Sequence, residues 1–152
     1  MFKLFLFLHL TGLAVWLGAM VVVAGILLAL KKDIRSSGVN ESLKKILRFF
    51  NMVTHPSATI VLITGLVMRF SSEVEGKGSL WLSYMQDFGS LIVLGSIIAL
   101  TILGKRAVKN LDGKEDAATA SSLSKYANGL FVSAFLVISV LFVVALKLGN
   151  VE

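Results

Sequence analysis

The chain has 152 residues, 56% of them hydrophobic, no cysteine, and fifteen basic against nine acidic side chains, for a net charge of +6. Without cysteine there is no disulfide, no thiolate metal centre and no covalently attached c-type haem. Nor does the charge point to nucleic acid: the basic residues gather in two loops, and no aromatics interleave with them in the second. The mean hydropathy of +0.85 belongs to a chain with apolar runs too long for a soluble core.

The first run, Phe2 to Leu30, is long enough to cross ~30 Å of hydrocarbon as a helix. Helix is the expected form, because unpaired backbone amides are too costly in lipid for an open non-helical span. Its apolar stretch is longer than a signal-peptide core and only Lys3 precedes it, so it reads as a retained span. Within it, "FLHLTGLAVWLGAM" carries His9 about two turns below the surface, roughly 9 Å deep. Gly12, Trp16 and Met20 share its face at spacings of three, seven and eleven. Intramembrane polar groups are expensive and therefore informative. One reading of His9 is a neutral imidazole hydrogen-bonded to a neighbouring helix. The other is a metal or haem ligand, with Gly12 leaving room for a flat macrocycle.

A basic loop follows (Lys31, Lys32, Arg35), then Gly38 as a breaker and Asn40-Glu41 as the cap of a second helix running to about Phe70, with its span near 46–69. His55 precedes Pro56, which cannot donate a backbone hydrogen bond and is expected to kink the helix and open a pocket. Arg48, Asn51, His55, Thr59, Leu62 and Arg69 fall along one stripe, and Arg48 lies two turns from His55, a distance suited to a haem propionate. His55 is therefore a second candidate ligand. The heights of the two histidines differ by ~17 Å on an ideal rise, which disfavours one iron between them within a subunit. Separate sites, or one shared across an oligomer, remain open.

Ser79 is a good cap for a third helix, with its span near 80–104. Met85, Gln86 and Asp87 lie near its outer end, level with His9 and, on the fourth span, Lys147. His9, Met85 and Asp87 form a candidate copper set; alternatively Asp87 pairs with Lys147 or Arg69. Trp81 and Tyr84 read as interfacial belt residues. The second basic loop (Lys105, Arg106, Lys109, Lys114) turns at Asp112-Gly113, and the fourth helix starts near Glu115, with its span near 127–148. The expected fold is all-α: an integral membrane four-helix bundle, up-down-up-down, in one domain over 1–152. The basic loops lie in the cytoplasm and both termini outside, with lipid as the surrounding partner. Gly12, Gly18, Gly25, Gly65, Gly89 and Gly95 offer small faces for close helix contact and for a homo-oligomer, most simply a dimer.

"HLTGLAVWLGAMV", with His9, Gly12, Trp16 and Gly18, resembles the opening span of a superfamily of small bacterial four-helix membrane proteins. It includes the copper-resistance CopD-type domain and the HemJ-type protoporphyrinogen oxidase. "VTHPSATIVLITGLVM", with Pro56, Thr64 and Gly65, and "SLWLSYM" are similar to their second span and to the start of their third. The likeness implies a bacterial inner-membrane protein that binds haem b with His9 as ligand. The chain departs from HemJ-type proteins where a histidine and a lysine after the loop tryptophan give way to Ser83 and Met85. It departs again where an Arg-His pair at the end of the first span becomes Lys31-Lys32.

The leading expectation is a b-type haem protein with an electron-transfer or redox role and a quinone or other redox partner. In it His9 and His55 are metal ligands, Gly12 and Trp16 line the macrocycle, and Arg48 and Arg69 face propionates. The alternatives are a HemJ-like oxidase, which would be a membrane haem-dependent oxidoreductase, and CopD-like copper handling.

Overall fold

The computed structural model describes residues 2–30, 37–70, 80–111 and 116–148, all of them helical. Helix α1 spans Phe2–Leu30, α2 Ser37–Phe70, α3 Leu80–Leu111 and α4 Asp116–Leu148. Each is long and apolar enough to cross a membrane. The surface agrees: Phe7, Leu91 and Phe135 are more than 60% exposed, as befits side chains meant for lipid. The chain is built as a multi-pass membrane protein.

Six of the eight expected helix limits coincide with the observed ones or lie within a residue of them; the exceptions are the start of α2 and the end of α3, which continues seven residues past its expected span to Leu111. α2 begins at Ser37, ahead of the expected Asn40 cap, so Gly38 lies inside its first turn rather than breaking the chain before it. Glycine is tolerated there because the first amides of a helix have no intrahelical partner to lose. Asn40 instead has a buried side-chain oxygen without a partner among the described residues. α2 runs on through Pro56. The expected caps and turns at Ser79 and Asp112-Gly113, and the loop lysines and arginine 31, 32, 35, 77 and 114, lie outside the described residues.

The contacting pairs are α1–α2, α2–α3, α3–α4 and α4–α1, a closed ring around one core. Met20, Leu27, Leu43, Leu47, Leu123 and Leu130 are almost wholly buried in it. At its middle Phe50 of α2 meets Tyr126 of α4 edge to face, with centroids 6.5 Å apart and planes at 78°. Hydroxyls on the inner face of α2 bond their own helix: Thr54 donates to the Phe50 carbonyl, Ser57 to Val53 and Thr64 to Ile60. That satisfaction lets α2 turn a small, polar-looking face inward without needing water.

The glycines divide. A Cβ at Gly12 would meet Val61 Cγ2 at 2.9 Å and the Ser57 carbonyl oxygen at 3.3 Å, and one at Gly104 would meet the Tyr126 hydroxyl at 3.3 Å. Gly18, Gly25 and Gly95 face open space. Leu123→Ala, at a side chain with no exposure, is expected to lower unfolding stability by about 2–5 kcal/mol. Phe135→Ala, at an exposed position, is expected to change it by less than ~1 kcal/mol. Unfolding of both variants in mixed micelles checks the contrast.

Candidate functional site

α1 delivers His9 to α2 one turn from the Gly12 contact, since residues three apart lie on one helix face. Nδ1 of His9 lies 3.0 Å from the Val61 carbonyl oxygen and 3.0 Å from Thr64 Oγ1. A carbonyl oxygen only accepts, so Nδ1 must carry the hydrogen. The Thr64 hydroxyl donates to Ile60 at 2.6 Å, which leaves its oxygen to accept from His9 as well. In a neutral imidazole the lone pair then resides on Nε2. The ring is half-buried and fits because α2 has a glycine there: a Cβ on Gly65 would approach His9 Cε1 to 3.3 Å.

The same level of the bundle is tied to α3. Gln86 Nε2 donates to the Gly65 carbonyl at 2.7 Å, and Arg69 Nη1 to Asp87 Oδ1 at 2.5 Å. Arg69 is therefore engaged by a carboxylate, the structural alternative for Asp87; both side chains remain substantially exposed. Gly12 is not open to a macrocycle. Val61 and the Ser57 carbonyl close over it, so its place is in the α1–α2 contact.

His55 lies elsewhere. Against α2, His9 reaches Val61, Thr64 and Gly65, six to ten residues beyond His55, an offset of about 9–15 Å along the helix. That is somewhat less than the sequence arithmetic gives, and still too far for one iron within a chain. His55 is exposed and lines a cleft with Asn51 on α2, Trp16 of α1, Ile97 and Leu100 of α3, and Tyr126 of α4. Trp16, expected beside His9, thus faces the His55 level instead. Arg48 is exposed, nearly two turns before His55. The cleft has an empty space of about 270 Å³ continuous with the surroundings, and its enclosed part is water-sized. A porphyrin does not enter it.

Among the described residues no three His, Cys, Asp or Glu side chains gather as a metal site. Of the candidate copper set, the Met85 side chain lies outside the described residues, as do those of Trp81, Tyr84 and Lys147. Tyr126, Gln86 and Thr64 are the site residues that sequence reasoning did not assign. Tyr126 stood in a helix-compatible stretch with nothing to mark it as facing inward. Comparison with models of protein families, with curated proteins and with solved structures finds no match.

Proposed function

We propose that the chain is a b-type haem-binding membrane protein with an electron-transfer or redox role, in which His9 presents Nε2 to the iron. One observation carries this reading: the bond from Nδ1 to the Val61 carbonyl. Metal-bound histidines characteristically donate their other ring hydrogen to a carbonyl or carboxylate, which fixes the tautomer and the ring plane. The same bond leaves the lone pair on Nε2, the nitrogen a metal would take. The ligand nitrogen fits the group. The cradle does not lie inside a single chain, because Gly12 is closed and the His55 cleft is small. The porphyrin would rest on the outer flank of α1 and α2, where Leu6, Leu10 and Leu66 are exposed and apolar. Bound there, haem supplies one-electron transfer; His9 holds it, and Arg69, with donors beyond the one given to Asp87, attracts a propionate.

The resemblance to the CopD- and HemJ-type superfamily supports the same reading. An up-down-up-down arrangement with the lysine-rich ends in the cytoplasm and both termini outside belongs to the same proposal, and the crowding of basic residues around the first and third loops is what supports it. A second copy is part of it: Gly18 and Gly25, seven residues apart and facing open space, give another chain a close approach to α1.

The test is the absorption spectrum of the purified protein made with ample haem. A Soret band that shifts on dithionite reduction is expected, and its absence overturns the proposal. Arg69→Ala is expected to lower haem retention without moving the Soret maximum, because a propionate contact anchors without coordinating. Since the Arg69–Asp87 pair is exposed, stability should fall by no more than ~1 kcal/mol. Haem content and unfolding of the same preparation check both.

A further inference from the structure

α2 and α3 touch least of the four neighbouring pairs of helices. Between them the cleft at Asn51 and His55 opens against Ile97 and Leu100. Asn51 is half-buried and His55 exposed, and neither side chain bonds another described residue. Toward the end of the bundle remote from His9, each rim of this seam carries a cation. Arg48 lies seven residues before His55, two turns back and on the same face. Lys105 lies eight residues after Ile97, a little over two turns along α3. Numbers fall along α2 as they rise along α3, because Gln86 bonds Gly65 while Ile97 stands by His55. The two displacements, about 10 and 12 Å, therefore run in one direction and bring the cations to one height.

Both cations are exposed, and neither has an ion partner among the described residues. The acidic side chains described are already paired, Glu41 with Lys45 and Asp87 with Arg69. An ammonium on a headgroup would find no free carboxylate among them, so a net negative headgroup is favoured. A positive-inside bias places basic residues at one end of a bundle. It does not place two of them on facing rims, with an amide and an imidazole one to two turns deeper. In the other direction Leu62 and Leu94 continue the seam, and Gln86 on Gly65 and Arg69 on Asp87 close it. From His55 to Gly65 is ten residues, about 15 Å, the hydrocarbon depth of one leaflet. Cation, then donor, then apolar groove matches the order of phosphate, ester and chain in a glycerophospholipid.

We infer that the α2–α3 seam binds one anionic glycerophospholipid. Arg48 and Lys105 hold its phosphate from the two rims, where charge-assisted bonds to phosphate form at headgroup level. The Asn51 amide and the His55 ring N–H donate to its ester carbonyls, and one acyl chain lies along the seam as far as Gly65. The polar side chains of the span thus meet acceptors that the lipid itself carries, and His55 needs no iron. The inference does not rest on haem at His9.

Native mass spectrometry of the full chain in a mild detergent tests it, with dioleoylphosphatidylglycerol and dioleoylphosphatidylcholine as probes. One phosphatidylglycerol per chain is expected, half-saturating at a concentration about fivefold below that for phosphatidylcholine. Arg48→Gln and Lys105→Gln should each raise the phosphatidylglycerol value about fivefold. Both positions are exposed, so the variants should fold. Lys125→Gln removes a charge from an exposed position on α4, beside Tyr126, which meets Gly104 and so marks the level of Lys105. It should leave the value unchanged. Asn51→Ala should weaken both lipids alike, because the esters are common to them. Equal binding of the two lipids by the unaltered chain overturns the inference. So does a loss in Lys125→Gln as large as in the seam variants, which marks attraction to surface charge in general. Displacement of the lipid by an equal concentration of glycerol phosphate identifies a soluble phosphate as the ligand and likewise overturns it. None of these outcomes depends on a Soret band, so failure here is distinct from failure of the haem reading.

Discussion

Replacing His9 by Ala is expected to abolish the Soret absorption while the protein still inserts and purifies. The variant removes Nε2, the atom assigned to iron, and leaves no other imidazole at that height, since His55 lies about 9–15 Å away along α2. It also removes the bonds to Val61 and Thr64. Interhelical hydrogen bonds within membranes average only ~0.6 kcal/mol, so the fold should survive. Thr64→Val separates the two effects: it deletes one partner of Nδ1 and keeps the Val61 carbonyl. That variant should hold most of its haem with a small spectral change. Imidazole added to His9→Ala should restore part of the band. A His9→Ala protein with its full, unshifted spectrum rules out the ligand. His55→Ala is expected to keep the whole band, and loss of half of it would place a second haem at His55.

The helices were legible because lipid imposes one rule on every residue of a span. Runs such as Phe2–Leu30 leave no alternative to helix, and the observed limits follow from that. Interhelical register is another matter. Spacing puts Gly12 and Trp16 on the face of His9, and so they are. It does not say which residue of α2 stands opposite each. Gly12 meets Val61 and Ser57, which closes the space expected for a macrocycle. Trp16, seven residues or about 10 Å beyond His9, meets the level of His55. That offset along α1 matches the one along α2, so tryptophan and the second histidine line one cleft. Tyr126 was illegible for a related reason: its neighbours in sequence are small and polar, and only the contact with Phe50 shows which way it faces. Asp87 was legible as one of two pairings, and the helix ends decided for Arg69.

Gly12→Leu is expected to separate α1 from α2 and to lose haem with them. Its Cβ alone would lie 2.9 Å from Val61 Cγ2 and 3.3 Å from the Ser57 carbonyl oxygen. The valine methyl can rotate away. The carbonyl belongs to the helix and cannot, so three further carbons must push the helices apart. Overpacking of this kind costs about 1–3 kcal/mol. In lipid no hydrophobic force draws the helices back, because tails solvate leucine as well as protein does. One turn along, the His9 Nδ1 bond to the Val61 carbonyl is 3.0 Å, so an opening of half an ångström already weakens it and frees the ring from its fixed tautomer. Stability and haem content should therefore fall together. Gly18→Leu, where a Cβ meets nothing within 4 Å, supplies the comparison in a monomeric preparation. It should retain both. If Gly12→Leu unfolds and binds haem as Gly18→Leu does, the close α1–α2 contact is not what positions His9.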